Sequence, residues 1–170
     1  AATVKEAEQM MDAARKTGKT ISIGYRLHFD PYHQEMIRIV KEQVFGNLTG
    51  IDCSFSFVPP KAAWRLSKEK SGGGPLVDVG IYCIQAVCYL TGHEPVAVTA
   101  QSLPVTDSEK FNGIEETLLF QLEMPDGLIA TCRTSFSETS SYLRIDAEKG
   151  WAELNPAFNY NGLVMKRSDG

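Results

Sequence analysis

One stretch gathers side chains that could do chemistry: Trp64-Arg65, then Gly72-Gly73-Gly74, then Asp78, Tyr82 and Gln85. Three consecutive glycines let the backbone turn, and approach another group, with no Cβ in the way. A helix is expected to start directly after them at Pro75, which would leave free N–H groups and the positive end of the helix dipole at that point. Asp78 falls in or just after the first turn, where a carboxylate is electrostatically favoured. Tyr82 follows four residues later and Gln85 seven later, so on a regular helix all three project from one face. A carboxylate and a phenol so placed suit the hydroxyls of a small polar ligand. A phenol exchanges protons near neutrality only if a cation lowers its pKa from about 10. The lysines nearest in sequence, Lys68 and Lys70, lie in a solvated charge run. The plainer alternative is that Asp78 caps the helix and Tyr82 supplies one hydrogen bond.

Two further pairs are candidates. Trp64-Arg65 offers a stacking surface beside a fork of donors, suited to a sugar or a carboxylate; the alternative is a loop anchored by Trp64. Tyr25-Arg26 follows TISIG (20–24), read as a strand, and ligands of open α/β sheets bind beyond the carboxyl ends of parallel strands. The alternative is that both are ordinary boundary residues. Cys53, Cys83, Cys88 and Cys132 form no C-x-x-C pair, and His28 and His33 are five apart. Neither spacing fits a metal module, so no metal site is expected and the cysteines read as small buried hydrophobes.

Recurrent patterns indicate the elements that must hold these residues. Thr3 and Glu6 form a T-x-x-E capping box that opens a helix to Lys16, with Val4, Ala7, Met10, Met11 and Ala14 as its buried stripe and Gly18 as its stop. Asp30 and Pro31 suit the N-cap and first position of a second helix, whose apolar face is Met36, Ile37, Val40 and Val44. Leu48–Val58 alternates as a strand. A third helix, apolar nearly all round, runs from about Pro75 to Leu90. Strands are then expected at 96–103, 115–124, 128–137, 142–147, 150–155 and 163–167, linked by turn chemistry at 124–127 and 148–150. This is an α+β fold: a large open mixed, mainly antiparallel sheet with helices on one face. Phe120, Leu122, Ile129, Thr131, Phe136 and Tyr142 suggest an apolar patch on the other face, and so a homodimer or larger.

Bulk properties narrow the function classes. With 170 residues, 43% hydrophobic and 22% charged, the chain has the balance of a folded globular domain. A net charge of −4 lacks the basic face of a nucleic-acid binder. No run of about 18 apolar residues marks a membrane span, and the acidic N-terminus is no secretory signal.

At ISIGYRLHFDP (21–31), VPPKAAWR (58–65), GGGPLVDVGIYCIQ (72–85) and YLTGHEPVAV (89–98) the sequence resembles the glucose–fructose oxidoreductase and inositol dehydrogenase (Gfo/Idh/MocA) family. The likeness runs from about residue 3 to 165. The glycine-rich lead into D-x-G-x-[HY] is its most specific part. Tyrosine in the last position matches the subset with glucose–fructose oxidoreductase and the dihydrodiol and xylose dehydrogenases.

The resemblance implies a two-domain NAD(P)-dependent oxidoreductase that moves a hydride at the CH–OH of a sugar, cyclitol or diol. Its Rossmann domain holds NAD or NADP. Its C-terminal domain, like that of glyceraldehyde-3-phosphate dehydrogenase, shapes the substrate site and pairs its sheet with another subunit. By motif, Asp78 orients substrate, Tyr82 is the acid–base candidate, and Tyr25 and Arg26 lie near the nicotinamide; Trp64, Arg65 and Gln85 are candidates for substrate contact on their residue types and spacing alone. Neither G-x-G-x-x-G nor the family's E-K-P is present. Residues 1–24 are therefore expected to be the last helix and strand of a truncated Rossmann domain. Residues 25–170 would be the substrate-binding and oligomerisation domain, cut short at its end. This chain alone is expected to bind no dinucleotide and turn over nothing. A non-catalytic sugar-binding or oligomerisation module of the same fold is the alternative. A cytoplasmic location is the default, with the periplasm open because the N-terminus would be missing.

Overall fold

The computed structural model describes residues 3–170. Helix α1 spans Val4–Thr17. Its capping box is formed in both directions between Thr3 and Glu6, and Gly18 closes it in the left-handed conformation. The expected buried stripe is not buried: Val4, Met10 and Met11 are exposed, because no other described element lies against that face. The expected strand at Thr20–Gly24 does not form either. Its backbone has no neighbouring strand to bond, and an isolated strand leaves its N–H and C=O groups without a ladder.

A single 3₁₀ turn, Arg26–Phe29, leads into helix α2, Pro31–Lys41. The Asp30 carboxylate accepts from the N–H groups of Tyr32 and His33 at its start. The helix buries Met36 and Ile39, with Ile37 and Val40 partly covered, whereas Val44 lies beyond its end and is exposed. Strand β1, Leu48–Ser56, is followed by the 3₁₀ turn Trp64–Leu66 and the one-turn helix α3, Lys68–Ser71. Helix α4, Ile81–Thr91, is preceded by a π-helical turn over Leu76–Gly80. The helix expected from Pro75 is not buried all round: Cys83, Ala86, Val87 and Leu90 of α4 face the core, while Ile81 at its start and Val77 of the π turn are exposed. The segment 68–91 is apolar enough by composition to cross a membrane, but that inward face packs against the sheet.

Strands β2 (Ala97–Ser102), β3 (Thr117–Glu123), β4 (Ile129–Ser135), β5 (Ser140–Ala147), β6 (Gly150–Leu154) and β7 (Met165–Arg167) complete the chain. All lie within the ranges expected from sequence, apart from β5, which starts two residues earlier. With β1 they form one seven-stranded sheet in the order β2-β3-β4-β1-β5-β6-β7. Only the β1–β4 pair is parallel.

The register sets the two faces. Ile51, Cys53, Phe120, Leu122, Ala130, Cys132, Leu143, Ile145, Ala152 and Leu154 all point to the helix side and are buried. Phe111, Ile114 and Phe136 close a second small cluster with Val79. Phe120, Leu122 and Phe136 therefore belong to the interior and not to an outer patch. The outer face carries Asp52, Gln121, Thr131, Arg144 and Glu153 in one cross-strand row. Arg144 pairs there with Asp146 at 2.7 Å and approaches Glu153 at 3.6 Å. Ile129 and Tyr142 of the expected patch do lie on that outer face, interspersed with these charged and polar side chains.

Candidate functional site

A cleft of about 460 Å³ opens where the end of β1, the π turn, the start of α4 and the β6–β7 loop converge. Alternation along β1 delivers Phe55 and Phe57, the π turn delivers Asp78 and Val79, and α4 delivers Tyr82. The two 3₁₀ turns bring Arg26 and Arg65, and the loop after β6 brings Phe158, Asn159, Tyr160 and Asn161.

The π turn is the local departure that matters. Ile81 N–H bonds back to the carbonyl of Leu76, a five-residue step that widens one turn and re-aims the side chains after it. Asp78 and Tyr82 still share the cleft, but Gln85 is not in its lining. Nor are the helix-start amides free, as the glycine run suggested. The Glu115 carboxylate accepts from Gly74 N–H and Leu76 N–H, both at 3.2 Å. A Cβ on Gly74 would lie 2.6 Å from that carboxyl group, so glycine here makes room for a carboxylate of the chain itself.

Asp78 and Arg65 form the polar centre. Arg65 Nε donates to Asp78 Oδ2 at 2.8 Å, leaving Oδ1 and both Nη atoms with no protein partner among the described residues. Burial pushes the Asp78 carboxyl above its ordinary value, and the neighbouring guanidinium pulls part of that back. The Arg65 guanidinium stacks on Trp64, 4.6 Å from the ring centre, and faces Phe57 at 5.8 Å. Trp64 thus orients Arg65 from outside and is half exposed, not part of the lining. The Tyr82 ring packs among Tyr25, Phe55 and Phe158 at 5.3, 5.3 and 6.2 Å.

Tyr25 and Arg26 are occupied internally. The Tyr25 phenol donates to the Tyr82 carbonyl at 3.4 Å. Burial first, then the neighbouring phenols and thiols, push its pKa well up, so it stays neutral. Arg26 donates to the carbonyls of Phe158 and Asn159 and lies 4.3 Å from the Tyr160 ring centre. It pins the loop that forms the cleft's far wall. His33 pins the same loop from α2: its Nε2 meets the Ala157 carbonyl at 2.8 Å, and burial holds its pKa down, so the neutral ring donates there.

Sequence spacing could not reach Phe158 to Asn161, Phe55 or Glu115, which arrive by tertiary contact. Only the turn-like N-Y-N-G at 159–162 was visible. The residues present do not form a dinucleotide cradle. The glycines follow a helix and not a strand, the amides beyond them are taken, and the Tyr25 hydroxyl and the Arg26 Nη groups donate to backbone carbonyls of the chain itself. Among the described residues no His/Cys/Asp/Glu group could hold a metal.

Comparison with known proteins adds the relatives. Residues 33–153 match the model of the GFO/IDH/MocA C-terminal domain. The chain is 30% identical over 166 residues to a D-xylose 1-dehydrogenase [NADP(+)] of Haloarcula marismortui, covering 92% of this chain and 45% of that protein. It is 29% identical to the D-glucoside 3-dehydrogenase of Escherichia coli, covering 97% and 53%. The structure of an aldose-aldose oxidoreductase from Caulobacter crescentus, solved with glycerol, superposes with a TM-score of 0.91 at 36% identity over 99% of this chain and 50% of that one. The chain thus spans about half the length of the relatives it matches.

Proposed function

We propose, for a chain that belongs to the GFO/IDH/MocA family by its C-terminal domain, that it forms the substrate side of an NAD(P)-dependent oxidoreductase acting on a CH–OH group of a sugar, cyclitol or diol. The observation that carries this reading is the Asp78–Arg65 pair set among aromatic walls. Asp78 Oδ1 accepts from a substrate hydroxyl, the Arg65 Nη groups donate to neighbouring oxygens, and Phe55, Tyr82 and Phe158 cover the C–H faces of the ring. Tyr82 takes or gives the hydroxyl proton. The relatives' names, xylose and glucoside dehydrogenases, support this substrate class.

The nicotinamide cofactor is held, in this reading, outside the described residues. Residues 3–24 pack with that nucleotide domain, which the bare stripe of Val4, Met10 and Met11 supports. Self-association through the outer sheet face would be partly polar, using rows such as Asp52, Arg144 and Glu153. A second reading, a non-catalytic carbohydrate-binding module, has one observation in its favour: no lysine or histidine lines the cleft.

Two measurements test the proposal. The purified 170-residue chain gives no NAD(P)H-linked turnover of pentoses, hexoses or inositols; steady turnover would refute the division of labour. Tyr82→Phe in the full-length parent lowers kcat about 10²–10⁴-fold, the range of general acid–base contributions, and leaves cofactor affinity within twofold. An unchanged kcat removes Tyr82 from proton transfer and favours the second reading.

A further inference from the structure

The cleft is built for more than neutral hydroxyls. Two guanidiniums line it, Arg26 and Arg65, against a single carboxylate, Asp78. Arg65 is answered by Asp78 at 2.8 Å. Arg26 is answered by no carboxylate among the described residues. Its Nη atoms meet the neutral carbonyls of Phe158 and Asn159, and its Nε is enclosed with no acceptor. A guanidinium keeps its charge under all accessible conditions, and the half-buried Arg26 at the cleft wall leaves that charge without an opposite charge to answer it. In a chain whose net charge is −4, this cleft carries a local excess of one positive charge. Arg65 offers the complementary geometry. Its Nη pair has no protein acceptor, and its plane is fixed by Trp64 and Phe57. A fixed planar fork with two free donors is suited to bidentate capture of a carboxylate or phosphate.

We infer that the preferred ligand of this cleft is an acidic carbohydrate, a monosaccharide bearing a carboxylate or a phosphate ester. Its anionic group meets the Arg65 fork in the field of Arg26, and its carbon skeleton lies against Phe55, Tyr82 and Phe158. The inference rests on the reading of the cleft as a sugar site and adds the charge of the sugar.

The test is calorimetric titration of the 170-residue chain with D-glucose, D-gluconate, D-glucose 6-phosphate and inorganic phosphate, at 50 and 500 mM salt. Gluconate, glucose 6-phosphate or both bind at least about tenfold tighter than glucose at low salt. That advantage shrinks at high salt, as screening of a charge interaction requires. Whichever of the two binds tighter identifies the anionic group. Because Arg26 also pins the 158–161 loop, two substitutions separate charge from fold. Arg26→Lys keeps most of the preference for the acid over glucose, and Arg26→Gln loses it. Glucose binding as tightly as both acids overturns the acidic-ligand inference and leaves the sugar reading intact. Failure of all four ligands to bind overturns both. Inorganic phosphate binding as tightly as glucose 6-phosphate shows an anion site indifferent to sugar and also overturns the inference.

Discussion

Asp78→Asn is expected to reduce the cleft's affinity for a neutral sugar about 10–100-fold, the worth of one or two hydrogen bonds to a charged group. Asp78 has two tasks that an amide cannot both perform. Oδ2 neutralises Arg65 at 2.8 Å, and Oδ1 is open to the cleft. The amide is nearly isosteric, so the fold stays intact while Arg65 loses its counter-charge. In the full-length parent the loss should emerge in kcat/KM at least as strongly as in binding, because an oriented hydroxyl is what the reaction needs. A variant that binds within twofold of the original would remove Asp78 from ligand recognition and leave it a purely structural partner of Arg65. Arg65→Ala separates these outcomes. It takes away the cation that draws the Asp78 carboxyl down and leaves burial to push it further up, so ligand binding should then weaken as pH falls through the acid range.

Glu116→Gln is expected to cost about 2 kcal/mol of stability, the scale of losing charge-assisted bonds to a buried carboxylate. For a domain of this size that lowers Tm by roughly 4–8 °C. Glu116 is 3% exposed. Its carboxylate accepts from Thr106 N–H at 2.5 Å, from Thr106 Oγ1 at 2.8 Å and from the Ser137 hydroxyl. Every partner is a donor, so the ionised form is the one that fits. Burial alone would push its pKa up, but the bonds from Ser137 and Thr106 outweigh it, and the net direction is down from about 4.5. The folded protein therefore binds this proton more weakly than the unfolded chain does. The contribution is fully present above about pH 4.5, the ordinary value, and is lost as pH falls through the lower folded value. The Tm gap between the two proteins should be wide at pH 7 and close toward pH 3. A gap that stays constant to pH 3 would show that the amide fails on packing and not on charge. The effect reaches the site, because Glu116 anchors the loop that carries its neighbour Glu115 to the start of the π turn.

Much of this fold could be read from local patterns, and for good reason. A capping box, an aspartate before a proline and a left-handed glycine act within a few residues, so α1 and α2 begin and α1 ends where the sequence says. Strict alternation located β1 and the later strands because each has one buried face. Where the reading failed, the missing information was a neighbour. TISIG has strand composition but nothing beside it to bond. Val4, Met10 and Met11 have a helical stripe but nothing beneath it. Phe120 and Leu122 look like candidates for a bare face until the pairing with β4 turns them inward.

Within the site, the sequence by itself determined the chemistry of one segment: a carboxylate and a phenol four residues apart after three glycines, with a guanidinium shortly before. Those properties are covalent and local. Only the tertiary structure decided what they face. Asp78, in the π turn, and Tyr82, just after it, line one cleft, while Gln85 on the same helix as Tyr82 does not, an outcome that no spacing rule reveals. Glu115, more than thirty residues downstream, took the amides at the end of the glycine run. Phe158 to Asn161 closed the cleft from the far end of the chain, held by Arg26 and His33. Side-chain type is fixed by the residue, but charge balance and access depend on which distant groups the fold places within a few ångströms.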